Sequence, residues 1–366
     1  MTDHNVFDGH ALPVSAWPEA DRRAWIEAQL EDDNLLAEPK PAAHLRPSSR
    51  ELYSRCYGIW LAWLKSEGFL DEGARPEERV TKARLTAYLQ AERALGNGAR
   101  TLVNHAVCLD RMFEVLAPLE DWSWTMPMIY KLKSAVKSVK NHSDLPSIRE
   151  LFEVGLAVMQ KASQPDHGSP KQHAIWFRNG LAIALLAARS LMRRNNLAMI
   201  KIDYNLIKEG AGYVLRFSGD EMKGRTRRGG PVPTALTPFI DRFIEIYRPR
   251  LLLGKSDEHN MLFISGMGNP ITPHNLSDEI GKITFAVFGR RVTAHEFRHA
   301  TGSSMAKEDP DHVGLVPTIL GHAHYRTSES YYIVADEMAA FNRYDKALDR
   351  LMRDDISDQK LEGSRI

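Results

Sequence analysis

The run "GLAIALLAARSLM", residues 180–192, is the most apolar stretch of the chain. Its thirteen residues are too few to span a bilayer, which takes about 20 apolar residues in a helix. It therefore reads as a helix of a soluble protein with no membrane partner. The chain continues directly into Arg193 and Arg194 and then returns to an apolar pattern in "NNLAMI". A buried arginine is costly without an anion or a partner. Arg193 and Arg194 are thus either solvated or paired charges, or part of an anion-binding site.

The chain has 366 residues, enough for two domains of ordinary size. Hydrophobic residues make up 43% and charged residues 26%, the composition of a soluble globular protein with material for two cores. Cys56 and Cys108 are its only cysteines, which excludes a disulfide framework and a cysteine-built zinc site. The start "MTDHNVFDGH" has neither a basic n-region nor an apolar h-region, so no signal peptide is expected and the expected location is cytoplasmic. The net charge is +1 and unevenly spread: residues 1–45 carry nine acids against three bases, a net of −6, leaving +7 for residues 46–366. A moderately basic body is compatible with a DNA partner, and equally with ordinary surface charge.

Residues 1–45 are expected to form an acidic, loosely attached leader. From "PSSRELYSRCYGIWLAWLKSEGF" onward the spacing is helical: Tyr53, Tyr57, Trp60, Leu61 and Leu64 recur every three or four residues. Ser48 or Ser49 is the expected N-cap and Gly68 the stop. "TKARLTAYLQAERALG", "ARTLVNHAVCLDRMFEVLAPL" and "MPMIYKLKSAVKSVK" complete a four-helix domain over residues 46–140. The last carries Lys131, Lys133, Lys137 and Lys140, either a solvated face or a phosphate-facing one. A polar, Pro-broken linker is expected at 141–147, then a second domain at 148–366. That domain reads as mostly helical, with a small antiparallel sheet from "YVLRFSGDEMKGRTRRGGPVPTAL", whose Gly- and Arg-rich turn holds Lys223. The fold class is mainly α with a small antiparallel β-sheet.

The stretch "TAHEFRHATGSSM", residues 293–305, fits two chemistries. His295, Glu296 and His299 match the H-E-x-x-H signature of zinc peptidases. The same residues also match H-x-x-R-H, in which His295 and Arg298 do the work. At about 100° per residue, His299 lies about 40° to one side of His295 and Arg298 about 60° to the other. A zinc ion between the histidines would face a guanidinium that does not lose its proton. The same geometry suits a phosphate oxygen.

Several motifs in order now resemble the tyrosine recombinases, or phage integrases. They are an arginine in "MRRNNLAMI", a lysine in the hairpin "EMKGR", "HEFRHATGSSM", "ILGHAHYRTSESYY" and the tyrosine after it. The likeness covers residues 148–345, and the four-helix region resembles that family's core-binding domain, which clamps the opposite side of the DNA. The family's first arginine is usually followed by a polar or acidic residue at +3 and apolar residues at +4 and +7. Arg193 satisfies this with Asn196, Leu197 and Ile200, and Arg194 does not. The chain lacks the family's glycine before that arginine and its acid after it. The tyrosine stands nine residues after the histidine of "L-G-H" in the family, which selects Tyr331 over Tyr332, counting from His322.

The resemblance implies a DNA phosphodiester as substrate. Tyr331 would attack phosphorus to form a 3′-phosphotyrosyl link and release a 5′-hydroxyl, storing the bond energy without ATP. Arg193, Arg298 and His322 would hold the non-bridging oxygens. His295 would be the base for Tyr331 and Lys223 the acid for the leaving oxygen. With these fixed cations no metal or cofactor is expected. The implied partners are double-stranded DNA at specific sites and a homotetramer on two duplexes, exchanging segments after Tyr331 (about 335–366). Accessory directionality proteins are compatible with this scheme. Competing readings are a type IB topoisomerase or telomere resolvase, a non-catalytic DNA-binding relative, and the zinc peptidase.

Overall fold

The computed structural model of the protein describes residues 7–31, 39–136, 144–164, 168–222, 225–321, 328–329, 331–340 and 343–345. The chain divides into two compact units, Met1–Lys140 and Asn141–Ile366.

The first unit contains helices α1 (Glu19–Glu27), α2 (Pro47–Ser66), α3 (Lys82–Ala94), α4 (Ala99–Leu116) and α5 (Thr125–Ala135). Helix α2 begins at Pro47 rather than at Ser48 or Ser49, because proline at the first helical position brings its φ already set. Gly68 ends it at φ +72°. Of the expected stripe, Tyr57, Trp60, Leu61 and Leu64 are buried and Tyr53 is half-buried. Trp60 stacks on Trp63 at 5.3 Å between ring centres and meets Tyr88 edge-on at 5.4 Å. Helix α4 packs against each of the other four.

The segment expected as a loose leader is instead built into this core. Trp17 and Trp25 are 4% and 3% exposed, and burying a large apolar side chain contributes roughly 2–3 kcal/mol. The Leu12 amide donates to the Gly58 carbonyl at 3.0 Å. A methyl group on Gly58 would lie 2.3 Å from the Leu12 oxygen, so only glycine admits this crossing. Asp21, one of the leader's acids, is fully buried against Arg79 at 2.5 Å and accepts from the Tyr57 hydroxyl at 3.0 Å. Burial raises the Asp21 pKa, and Arg79 opposes that rise. Counting acids identified the leader's charge but not the tryptophans that anchor it.

In the second unit, Ser147 and Glu150 cap α6 (Ile148–Ala162) reciprocally: the Ser147 amide donates to Glu150 Oε2 at 2.7 Å and Ser147 Oγ accepts from the Glu150 amide at 3.2 Å. Of the expected linker, residues 141–143 lie outside the described residues, as do Lys137 and Lys140. Helix α7 (Pro170–Ala188) is the central element, buried almost throughout from Phe177 to Ala187. Helices α6 and α7 touch through Gly155 and Gly180: a methyl on Gly155 would lie 2.8 Å from the Gly180 oxygen. Helix α7 stops at Ala188, four residues short of the end of the apolar run. The short α8 (Arg194–Ala198) follows.

The sheet is three-stranded and antiparallel in the order β1 (Leu206–Glu209), β2 (Gly212–Phe217), β3 (Arg228–Pro231). Glu209 pairs with Gly212, and Phe217 with Arg228. The expected hairpin thus gains a strand on its far side. The segment "TPFIDRFIEIYRPRLL" forms α9 (Thr237–Arg242), a π-helical turn Phe243–Tyr247 and α10 (Arg248–Leu252). Then come α11 (Pro273–Phe288), α12 (Ala294–Glu308) and α13 (Val316–Leu320), and residues 331–340 are helical. No described helix is long and apolar enough to cross a membrane.

Candidate active site

Helix α12 carries the centre of the site, and its start is set by a capping box. The Thr293 amide donates to Glu296 Oε2 at 2.8 Å, and Thr293 Oγ1 accepts from the Glu296 amide at 3.4 Å. Arg290 also pairs with Glu296 Oε1 at 2.8 Å. The acid that a zinc peptidase would use as its base is therefore holding the helix terminus. Among the described residues no group of three or more His, Cys, Asp or Glu side chains could hold a metal ion.

Arg298 is 4% exposed. Its Nη1 donates to the carbonyls of Ser190 at 2.9 Å and Leu191 at 3.0 Å, and its Nη2 donates to that of Leu320. The early end of α7 is what makes this possible. With α7 stopped at Ala188, the Ser190 and Leu191 carbonyls turn to the guanidinium and lock it. Burial lowers the Arg298 pKa to about 10, helped by the neighbouring Arg193 cation and opposed by Tyr331. Arg298 remains charged at neutral pH.

Arg193 precedes α8 in extended conformation and is half-buried, whereas Arg194 is exposed. The Arg193 amide donates to Asn196 Oδ1 at 3.3 Å, and Asn196 Nδ2 donates to the Glu221 carbonyl at 2.9 Å. Asn196 thus ties the Arg193 turn to the connection between β2 and β3. Lys223, between β2 and β3 in the chain, lies outside the described residues, and so does His322. Arg228 on β3 lies beside Gly321, where a Cβ would meet its Nε at 3.2 Å.

Tyr331 is 6% exposed, and its hydroxyl lies 2.7 Å from His299 Nδ1. Its ring lies flat on Gly302: a methyl there would stand 2.5 Å from Tyr331 Cζ. Burial pushes the phenol up to about 12, against the pull of Arg298. Tyr332 is half-buried and packs on the small apolar cluster of Val313, Val316 and Leu320. His295 is exposed, with its Nε2 3.2 Å from His299 Nε2.

The structure therefore brings together Arg193, Arg298, His295 and Tyr331. Three features escaped the sequence reading. His299 entered it only as a zinc ligand, although its i,i+4 spacing from His295 was the available signal. Gly302 and Arg228 carry no local signal, because each acts on a residue distant in the chain.

Residues 166–338 match the phage integrase family. Over these residues the chain is similar to that family, the tyrosine recombinases. Among curated proteins it is similar to the tyrosine recombinase XerC of Anoxybacillus flavithermus, 27% identical over 164 residues, which are 43% of this chain and 50% of that one. The tyrosine recombinase XerC of Bacillus licheniformis is 25% identical over 117 residues, 32% of this chain and 38% of that one. The matched part thus spans half or less of the length of these relatives. Among solved structures, the XerH site-specific recombinase bound to difH substrate in a pre-cleavage complex has a TM-score of 0.53 at 20% identity, covering 88% of this chain and 93% of that one. The post-cleavage complex of XerH on palindromic difH has a TM-score of 0.52 at 19% identity, covering 85% and 90%. These two likenesses show the fold.

Proposed function

We propose that this protein is a site-specific DNA recombinase that cuts and rejoins DNA through a 3′-phosphotyrosyl intermediate on Tyr331. The observation that carries this reading is the placement of the Tyr331 hydroxyl, 2.7 Å from His299 and close enough to the locked Arg298 for each to shift the other's pKa. In the reaction, Tyr331 Oη forms a bond to phosphorus as the bond from phosphorus to the 5′-oxygen breaks. The transition state spreads negative charge over the non-bridging oxygens. Arg193 and Arg298 meet it with fixed donors, whose preorganisation removes the cost of reorienting solvent. These cations take the part that a metal ion plays in other phosphoryl transfers, and the covalent link makes ATP unnecessary. The leaving 5′-oxygen takes its proton from Lys223, and His322 donates to a non-bridging oxygen. Both assignments rest on the family resemblance.

The partners in this reading are double-stranded DNA and three further copies of the chain, four protomers holding two duplexes. Integration, excision and resolution of DNA elements all use this chemistry. The test is a nicked duplex, carrying a site that the protein itself selects from a randomised library, on which cleavage releases a short fragment and traps the adduct. The wild-type protein should yield a covalent protein–DNA adduct whose peptide map ends on Tyr331. An adduct on another residue would remove Tyr331 as the nucleophile, and relaxation of supercoiled DNA with no strand exchange between two sites would replace this reading with the topoisomerase-like one.

A further inference from the structure

The base assigned to Tyr331 from the sequence was His295, but the structure sets another histidine between them. His299 Nδ1 lies 2.7 Å from the Tyr331 hydroxyl and its Nε2 lies 3.2 Å from His295 Nε2. The two imidazoles meet edge to face, 4.6 Å between centres at 81°. His295 is exposed while Tyr331 is buried, so the row runs from the nucleophile to solvent. Burial holds the tyrosine's proton firmly, so attack on phosphorus needs an acceptor in contact with the hydroxyl.

We propose that His299 is the general base for Tyr331 and that His295 is the second member of a two-histidine relay. This rests on Tyr331 being the nucleophile. Neutral His299 accepts through the Nδ1 lone pair and points its Nε2–H at His295 Nε2. As the Oη–P bond forms, the Oη–H proton moves to His299 Nδ1. The Nε2 proton of His299 passes to His295 Nε2, which leaves His299 neutral and His295 as the imidazolium. Resealing runs the steps backwards: the 5′-hydroxyl attacks phosphorus, and the departing Tyr331 oxygen takes a proton from His299. Both residues sit on one face of α12, one turn apart, in a helix whose start is capped, so the row is preset before DNA arrives.

The experiment is single-turnover adduct formation on the nicked duplex described above. His299→Gln keeps a polar side chain of similar size and should bind that duplex like the wild type while forming adduct about 10²–10⁴-fold more slowly. Added imidazole should restore part of the rate to His299→Ala, which a merely structural role would not allow. Replacing the 5′-bridging oxygen by sulfur should leave His299→Gln slow but rescue Lys223→Ala, because sulfur leaves without a proton and Tyr331 still has to lose one. His295→Gln should have a smaller effect alone and none on top of His299→Gln, since the two act in series. Wild-type rates in His299→Gln, or its rescue by the sulfur substrate, would overturn the relay while leaving the recombinase reading intact. If the wild-type protein itself forms no adduct on Tyr331, the underlying reading fails instead.

Discussion

Gly302→Ala isolates the placement of the nucleophile from its chemistry. The new methyl would stand 2.5 Å from Tyr331 Cζ and 2.7 Å from both Cε atoms. Carbon atoms in ordinary contact sit about 3.5–4.0 Å apart, so ring and helix must separate by about 1 Å. Helix α12 is held by its capping box and by the three carbonyl bonds of Arg298, so the Tyr331 segment is the part that moves. A displacement of that size costs the hydroxyl its 2.7 Å contact with His299, and misplacing a reacting group by about 1 Å can slow a reaction about 10²-fold. The effect on stability is small by comparison. Alanine in a helix interior gains about 1 kcal/mol over glycine, and overpacking costs about 1–3 kcal/mol, so the net loss is at most about 2 kcal/mol. The assay pairs thermal denaturation with single-turnover adduct formation on the nicked duplex. A Gly302→Ala protein that forms adduct at the wild-type rate would show that the contact between Tyr331 and α12 is not the cleaving arrangement.

Other expectations follow from the same contacts. Tyr331→Phe should fold and bind DNA yet form no adduct on a denaturing gel, whereas Tyr332→Phe should keep cleavage, because its ring packs on the apolar cluster behind the site. Arg298→Ala should abolish adduct formation and lower the stability by about 1–3 kcal/mol in chemical denaturation, since the Ser190, Leu191 and Leu320 carbonyls lose their donor. Arg298→Lys should remain largely inactive despite its charge, because a lysine has no planar fork to hold several acceptors at once. In the first unit, Arg79→Ala should destabilise by about 3–5 kcal/mol, by leaving Asp21 buried without its cation. An Arg79→Ala protein as stable as the wild type would mean that the leader is not docked as described.

By itself the sequence determined what depends on near neighbours. Three- and four-residue spacing marked the helices of both units, and "YVLRF" before a Gly- and Arg-rich turn marked a strand. The turn of a helix placed His295, Arg298 and His299 on one side of α12. The resemblance to the family, through apolar residues four and seven positions on, favoured Arg193 over Arg194, and the structure leaves Arg193 half-buried and Arg194 exposed. Only the tertiary structure decided what depends on residues far apart in the chain. Trp17 and Trp25 are ordinary members of an acidic segment until the cavity that receives them exists. Gly302 is one small residue in "HATGSSM" until Tyr331 lies across it, 29 residues on. The early stop of α7 is meaningful only because Arg298, 107 residues beyond Leu191, takes the carbonyls it frees. His299 read as a metal ligand because a sequence shows which residues share a helix face, not what the fold sets opposite that face. Local periodicity follows from backbone geometry, which every few residues repeat. The partner of a side chain follows from how the whole chain closes on itself.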